Sequence, residues 1–148
     1  MSKSSIPVLG QHLQTMHQQL VLFQTYHQTT PDPYVRSTLS FVIEDTQEAI
    51  ARNSSRLRQL GESPFNYVLD ETTKTRLRQS RNDNNEAEQL RFVWRTLTQQ
   101  LDWYQQNIKT LLNDADTQAI LVALAEQTRV RLERWQNLMA ELKVSPDD

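Results

Sequence analysis

From Leu90 to Leu111 the apolar side chains recur in alternating steps of four and three: Leu90, Trp94, Leu97, Leu101, Tyr104, Ile108, Leu111. Only a helix brings that spacing to one face, and such a stripe must be buried against other helices. Three more stretches carry the same pattern. Leu9, Leu13, Met16, Leu20, Phe23 and His27 form one; Leu39, Ile43, Thr46, Ile50, Asn53, Leu57 and Leu60 another; Leu121, Ala125, Thr128, Leu132, Trp135, Met139 and Leu142 the last. No window alternates apolar and polar residues as a half-buried strand does. An all-α protein of four long helices is expected.

The breaks between the seams fix the connections. Thr30-Pro31-Asp32-Pro33 ends the first helix, because proline cannot continue one, and offers Asp32 as the cap of the next. Gly61 is placed to end the second helix in a left-handed conformation. Asn85 with Glu88 resembles a capping box, and Asp114 can cap the last helix after a tight turn. Helices are predicted over about 6–29, 33–60, 85–112 and 115–143, within a single domain spanning 1–148. The 24 residues 61–84 have no sustained seam. A connection this long in a compact domain requires a reason, and a crossover between two parallel helices supplies one. Part of it, near Glu71 to Arg78, is expected to be helical. The predicted architecture is two antiparallel hairpins joined by a long crossover.

Composition limits the chemistry. The chain has 148 residues, two glycines, no cysteine and a formal net charge of −2. There is no thiolate ligand or cysteine nucleophile, no electrostatic reason to expect nucleic acid, and no apolar run of membrane-spanning length. Met-Ser-Lys-Ser-Ser-Ile-Pro lacks the apolar core of a signal peptide, so a cytoplasmic protein is expected. His12, His17 and His27 are not spaced to meet a metal from one helical face; satisfied histidines on the surface or at the end of the core are expected. No Ser/His/Asp arrangement, phosphate-binding glycine loop or inward pair of carboxylates stands out. Glu86 is the sole carboxylate that helical phase turns inward.

Leu124 to Arg134, Leu-Ala-Glu-Gln-Thr-Arg-Val-Arg-Leu-Glu-Arg, resembles the last helix of a rubrerythrin-type, ferritin-like bundle. In that family a Glu-x-x-His motif on this helix supplies metal ligands. The resemblance places Thr128 at the Glu and Arg131 at the His. Glu44 to Arg52 is similar to the segment with the second such motif, which places Thr46 at the Glu and Ala49 at the His. Tyr104 matches a family Tyr, which puts Leu97 at a lone Glu, and the first-helix ligand falls near Gln19 or Leu20. The seams agree: Thr46, Leu97 and Thr128 face inward, whereas Glu44, Glu48 and Glu126 lie on outer faces. The resemblance therefore implies a ferritin-like four-helix bundle with its di-metal ligands replaced.

Thr46, Asn53, Tyr104, Thr128 and Arg131 are candidates for an interior polar pocket in the vacated metal site, with Arg131 as anchor. The competing interpretation has each threonine bonding the carbonyl one turn back as a packed core residue and Asn53 setting helix register. A guanidinium cannot deprotonate to escape burial, so Arg131 must reach solvent, meet a carboxylate or bind an anion; filling the emptied site, it would find Asn53, Thr46 or Tyr104 as neutral partners. Phe92 and Trp103 fall off their seam, as do Leu22 and Phe41. They form a candidate partner surface, unless Phe65, Tyr67 and Leu69 of the crossover cover them. The function expected is non-catalytic and metal-free: a bundle acting through protein contacts as a homodimer, with no catalytic residues, metal ligands or cofactor. The alternatives are a small-molecule or anion binder using the vacated site, and a di-metal oxidase whose ligands align differently.

Overall fold

A computed structural model describes residues 5–63, 67–82, 85–111 and 113–147. Among these residues it is all-helical: α1 (Ser5–Thr29), α2 (Pro33–Gln59), α3 (Glu71–Asn82), α4 (Glu86–Thr110) and α5 (Ala115–Glu141). No helix among them is long and apolar enough to cross a membrane.

The helix ends follow from the residues singled out in the sequence. The Asp32 carboxylate accepts from the backbone N–H of Tyr34 at 2.8 Å and of Val35 at 3.3 Å, with Pro33 in the first turn. Asn85 accepts from the N–H of Glu88 at 3.1 Å, and Asp114 from that of Thr117 at 3.1 Å. At the end of α2, Gly61 has φ +91°. Its N–H donates to Arg58 and that of Glu62 to Leu57, both at 3.0 Å, closing a Schellman motif. α5 ends in the same motif with Lys143, φ 58°, in the glycine place.

Side-chain pairs fix the helix directions. His27 near the end of α1 bonds Ser40 near the start of α2 at 2.9 Å, so these two run antiparallel. Trp135 late in α5 donates to the Leu90 carbonyl early in α4 at 2.9 Å, and Gln118 early in α5 reaches the Ile108 carbonyl late in α4. That pair is antiparallel too. Arg56 late in α2 meets Asp114 at the head of α5, so α2 and α5 oppose each other and α2 and α4 run parallel. The packed pairs are α1 with α2, α4 with α5, α2 with α5, and α1 with α4, while α3 lies against α1. The long connection carries the chain back along the molecule, and its helical part continues to Asn82, beyond the predicted Arg78.

The interior has two apolar clusters. One holds Phe23, Leu39, Leu97 and Trp135; the other Leu9, Leu13, Met16, Leu57, Tyr104 and Leu121. Trp135 has no exposed surface, and its indole N–H finds a carbonyl, as a buried Trp requires. The seams predict most of this interior, with exceptions. Leu22, off the α1 seam, is buried, whereas Leu20 on it is only half-buried. α1 turns a wider face inward than a two-residue seam because α2, α3 and α4 all pack on it.

Candidate functional site

Around Tyr104 of the second cluster, polar side chains line up across the helices. His12 of α1 meets the Tyr104 hydroxyl of α4 at 2.7 Å. Gln100, one turn before Tyr104, donates to that hydroxyl at 3.4 Å and to the Thr128 hydroxyl of α5 at 3.2 Å. Thr128 in turn donates to the Leu124 carbonyl at 2.8 Å. His12 is 4% exposed and stacks on Trp103, ring centroids 4.2 Å apart. This places His12 in the core rather than at its end or on the surface. Trp103 covers it, so it is not the outward aromatic that the seam implied.

Burial sets the charge state of this line. It lowers the His12 pKa to about 3 and pushes the Tyr104 phenol well above its ordinary range, the Gln100 bond offsetting only part of that. Both groups are neutral near pH 7. A buried imidazole this weakly basic is poorly matched to general acid–base work at that pH. The arrangement joins three helices through neutral hydrogen bonds.

The residues that the sequence resemblance would place at metal-ligand positions, Arg131 apart, donate local bonds or none. Thr46 Oγ1 donates to the Val42 carbonyl at 2.8 Å, the same bond Thr128 makes. Ala49 and Leu97 are buried and apolar. Asn53 is fully buried; its Nδ2 donates to the Ala49 carbonyl at 2.7 Å, and its Oδ1 has no partner among the described residues. Of the five pocket candidates, Tyr104 and Thr128 are brought together through Gln100, while Thr46 and Asn53 bond within their own helix. Among the described residues no group of three or more His, Asp or Glu side chains is placed to hold a metal ion.

Of the three outcomes open to Arg131, solvent, a carboxylate or an anion, it takes the carboxylate rather than the neutral partners of an emptied metal site. It turns toward α2, where Nε donates to Asp45 Oδ2 at 2.6 Å and Nη2 to Oδ1 at 3.3 Å. Its guanidinium also sits over the Phe41 ring, 5.1 Å from the centroid. Gln127 bridges the same Asp45 to Glu48, both bonds 3.0 Å. Asp45 is one residue from Thr46, a rotation of about 100°, and Arg131 is three residues past Thr128, a rotation of about 300°. Those offsets carry both to the α2–α5 border. The Arg131 charge is matched by the Asp45 carboxylate, while its Nη1 is buried without a partner among the described residues.

The second aromatic candidate, Phe92, is half-buried, edge-on to Tyr26 and beneath Arg76 of α3. The crossover covers it, through a residue other than those expected. Phe65 lies outside the described residues; Tyr67 stacks on His17. Phe41 stays 45% exposed and Tyr34 74%.

Helical phase also missed one buried charge. Asp114, beyond its capping role, has a nearly inaccessible carboxylate that accepts from Ser5 Oγ at 2.5 Å, Thr117 Oγ1 at 2.7 Å and Arg56 Nη2 at 2.8 Å. Burial alone would raise its pKa, but the bonds from Ser5, Thr117 and Arg56 outweigh that and hold it well below the usual carboxylate range. Glu86, expected to be the one inward carboxylate, is half-buried and accepts from Thr30 at 2.9 Å. The site at Asp114 ties the ends of α1, α2 and α5 together. Comparison with family models, curated proteins and solved structures finds no significant match to this chain.

Proposed function

We propose that the protein is a ferritin-like bundle of the rubrerythrin type that is non-catalytic, its metal-binding layer replaced by structural hydrogen bonds, and that it acts through protein contacts. The observation that carries this is the layer at Thr46, Thr128 and Arg131. Both hydroxyls donate to carbonyls of their own helices, and Nε and Nη2 of the guanidinium donate to Asp45, leaving only Nη1 buried without a partner among the described residues. Parallel α2 and α4 with a long connection between them support the fold half of the proposal. The residues do not fit a di-metal centre, which needs several carboxylates and imidazoles converging on one point. Thr46, Ala49, Leu97, Thr128 and Arg131 supply neither group. The contact half rests on Tyr34 and Phe41, two exposed aromatics seven residues apart on one face of α2, since aromatic side chains are enriched in interfaces.

Two measurements test it. Protein incubated with ferrous iron under air should retain less than one equivalent and show no burst of oxidation; a stoichiometric di-iron centre would overturn the assignment. Light scattering should give a mass above the 17.4 kDa of one chain. A monomer at every concentration would remove self-association as the mode of action.

A further inference from the structure

An open groove of about 500 Å³ runs between α3 and α4, a size that accommodates a small organic ligand. Its floor is aromatic: Tyr26 and Phe92 meet edge to face, centroids 5.6 Å apart. Arg76 reaches over the floor from α3, its guanidinium carbon 4.6 Å from the Phe92 centroid. Ser80 of α3 and Gln89 of α4, both buried, and Glu88 complete the lining used here.

The groove persists because of what α3 is made of. In Glu71–Asn82 the one large apolar residue is Leu77, and the buried residues among its described side chains are the polar Thr73 and Ser80. Such a helix has no apolar stripe to draw it down onto two neighbours at once. It packs on α1 and stands off α4.

The charge in the groove is unbalanced. Glu88 is matched from its own helix by Arg95 at 2.7 Å and Arg91 at 3.8 Å. Among the described residues, by contrast, Arg76 forms no ion pair with a carboxylate. The Arg76 guanidinium carbon lies over the Phe92 ring and a side-chain bond ties the group to Tyr26, which leaves further N–H groups of the five for an acceptor in the guanidinium plane. A carboxylate or phosphate satisfies two of them at once. Tyr26, its phenol kept protonated by burial against the opposing pull of Ser80 and Arg76, adds a neutral hydroxyl beside the apolar floor.

We propose that this groove binds a small organic anion with a flat apolar body, an aromatic carboxylate or aromatic phosphate monoester, anchored by Arg76 above Phe92. The site is separate from the layer at Thr46 and Thr128 and stands whether or not that layer once held metal.

Benzoate and phenyl phosphate, titrated into the labelled full chain and followed by amide chemical shifts, provide the test. At least one should give saturable shifts centred on Ser80, Gln89 and Phe92. Inorganic phosphate and benzyl alcohol, each with half of the required chemistry, should bind about tenfold more weakly, the size of one lost charge-assisted bond. Arg76→Met should weaken the aromatic anion by a similar factor, while Arg129→Met, on an outer face paired with Glu126, should not. If Arg76→Met loosens α3, Phe92→Leu decides, because it keeps an apolar floor and removes the ring; it too should weaken binding. Absence of saturable shifts, shifts centred elsewhere, or unchanged affinity in Phe92→Leu would overturn the proposal.

Discussion

Arg131 and Asp45 form a two-point ion pair across the α2–α5 border, with side chains only 13% and 21% exposed. The pair is shielded enough for loss of one partner to strand the other, yet it sits near enough to water for the stranded group to be partly rehydrated. Arg131→Met keeps most of the stem over Phe41 and removes the charge. It should lower stability by about 1–3 kcal/mol, between a surface pair and a fully buried one. Asp45→Asn in the same background should cost much less than it does alone. Urea unfolding of the four proteins in that double-mutant cycle measures the coupling. A coupling near zero would mean that the pair is incidental to packing.

The buried imidazole makes stability depend on pH with a definite sign. In the unfolded chain His12 takes up a proton near the ordinary value of 6.5; in the fold it resists until about 3. The unfolded state therefore binds more protons between those values, and stability falls as pH drops through that window, by at most about 1.4 kcal/mol per pH unit. Asp114 acts at lower pH, because a carboxylate depressed in the fold loses its contribution only below its unfolded value of 3.8. Burial lowers His17 as well, and His17 remains in the variant. Unfolding at pH 7 and pH 5 separates these groups. Wild type should lose about 2 kcal/mol between them, and His12→Gln, which stays neutral and can still bond Tyr104, should lose much less. Equal losses in both proteins would move the titrating group elsewhere.

The helices were legible because their seams are long and their caps use the side chains that capping requires. Asp32, Gly61, Asn85 and Asp114 each sit where the sequence puts them. What helical phase did not show was the partner of each polar residue. Arg131 was correctly placed at the edge of its seam, but its alignment with Asp45 depends on the register between α2 and α5. Register arises from packing distant segments and leaves no periodic trace along the chain. Trp103 and Phe92 looked outward for a related reason. A seam assumes a fixed inner face, whereas the stack on His12 and the cover from Arg76 come from residues 91 and 16 positions away. α3 was foreseen as a short helix; the open space beside it was not, since a polar helix carries no sign of which neighbour it will approach.

Gln18 is the main fastening of that crossover, with Gln14 donating more weakly to the same Val68 carbonyl at 3.4 Å. Gln18 of α1 donates from Nε2 to the Val68 carbonyl and accepts at Oε1 from the N–H of Asp70, both at 2.9 Å. One side-chain amide thus satisfies the chain on either side of Leu69, immediately before Asp70 caps α3 through the Thr73 N–H at 2.7 Å. Gln18 is only 7% exposed, whereas Val68 is 71% exposed. Water can therefore replace the amide on the crossover once it is gone. Gln18→Ala should cost about 1 kcal/mol or less of global stability, as one or two solvent-replaceable bonds do, and leave the four long helices intact. The larger effect should be local, because α3 has a single large apolar residue and little else to hold it. Native-state hydrogen exchange should show faster exchange at the amides of Lys74 to Ser80, with Leu97 and Trp135 unchanged. Uniform acceleration across all five helices would show that the crossover unfolds only with the whole protein, and protection unchanged in α3 would show that Gln18 does not fasten it.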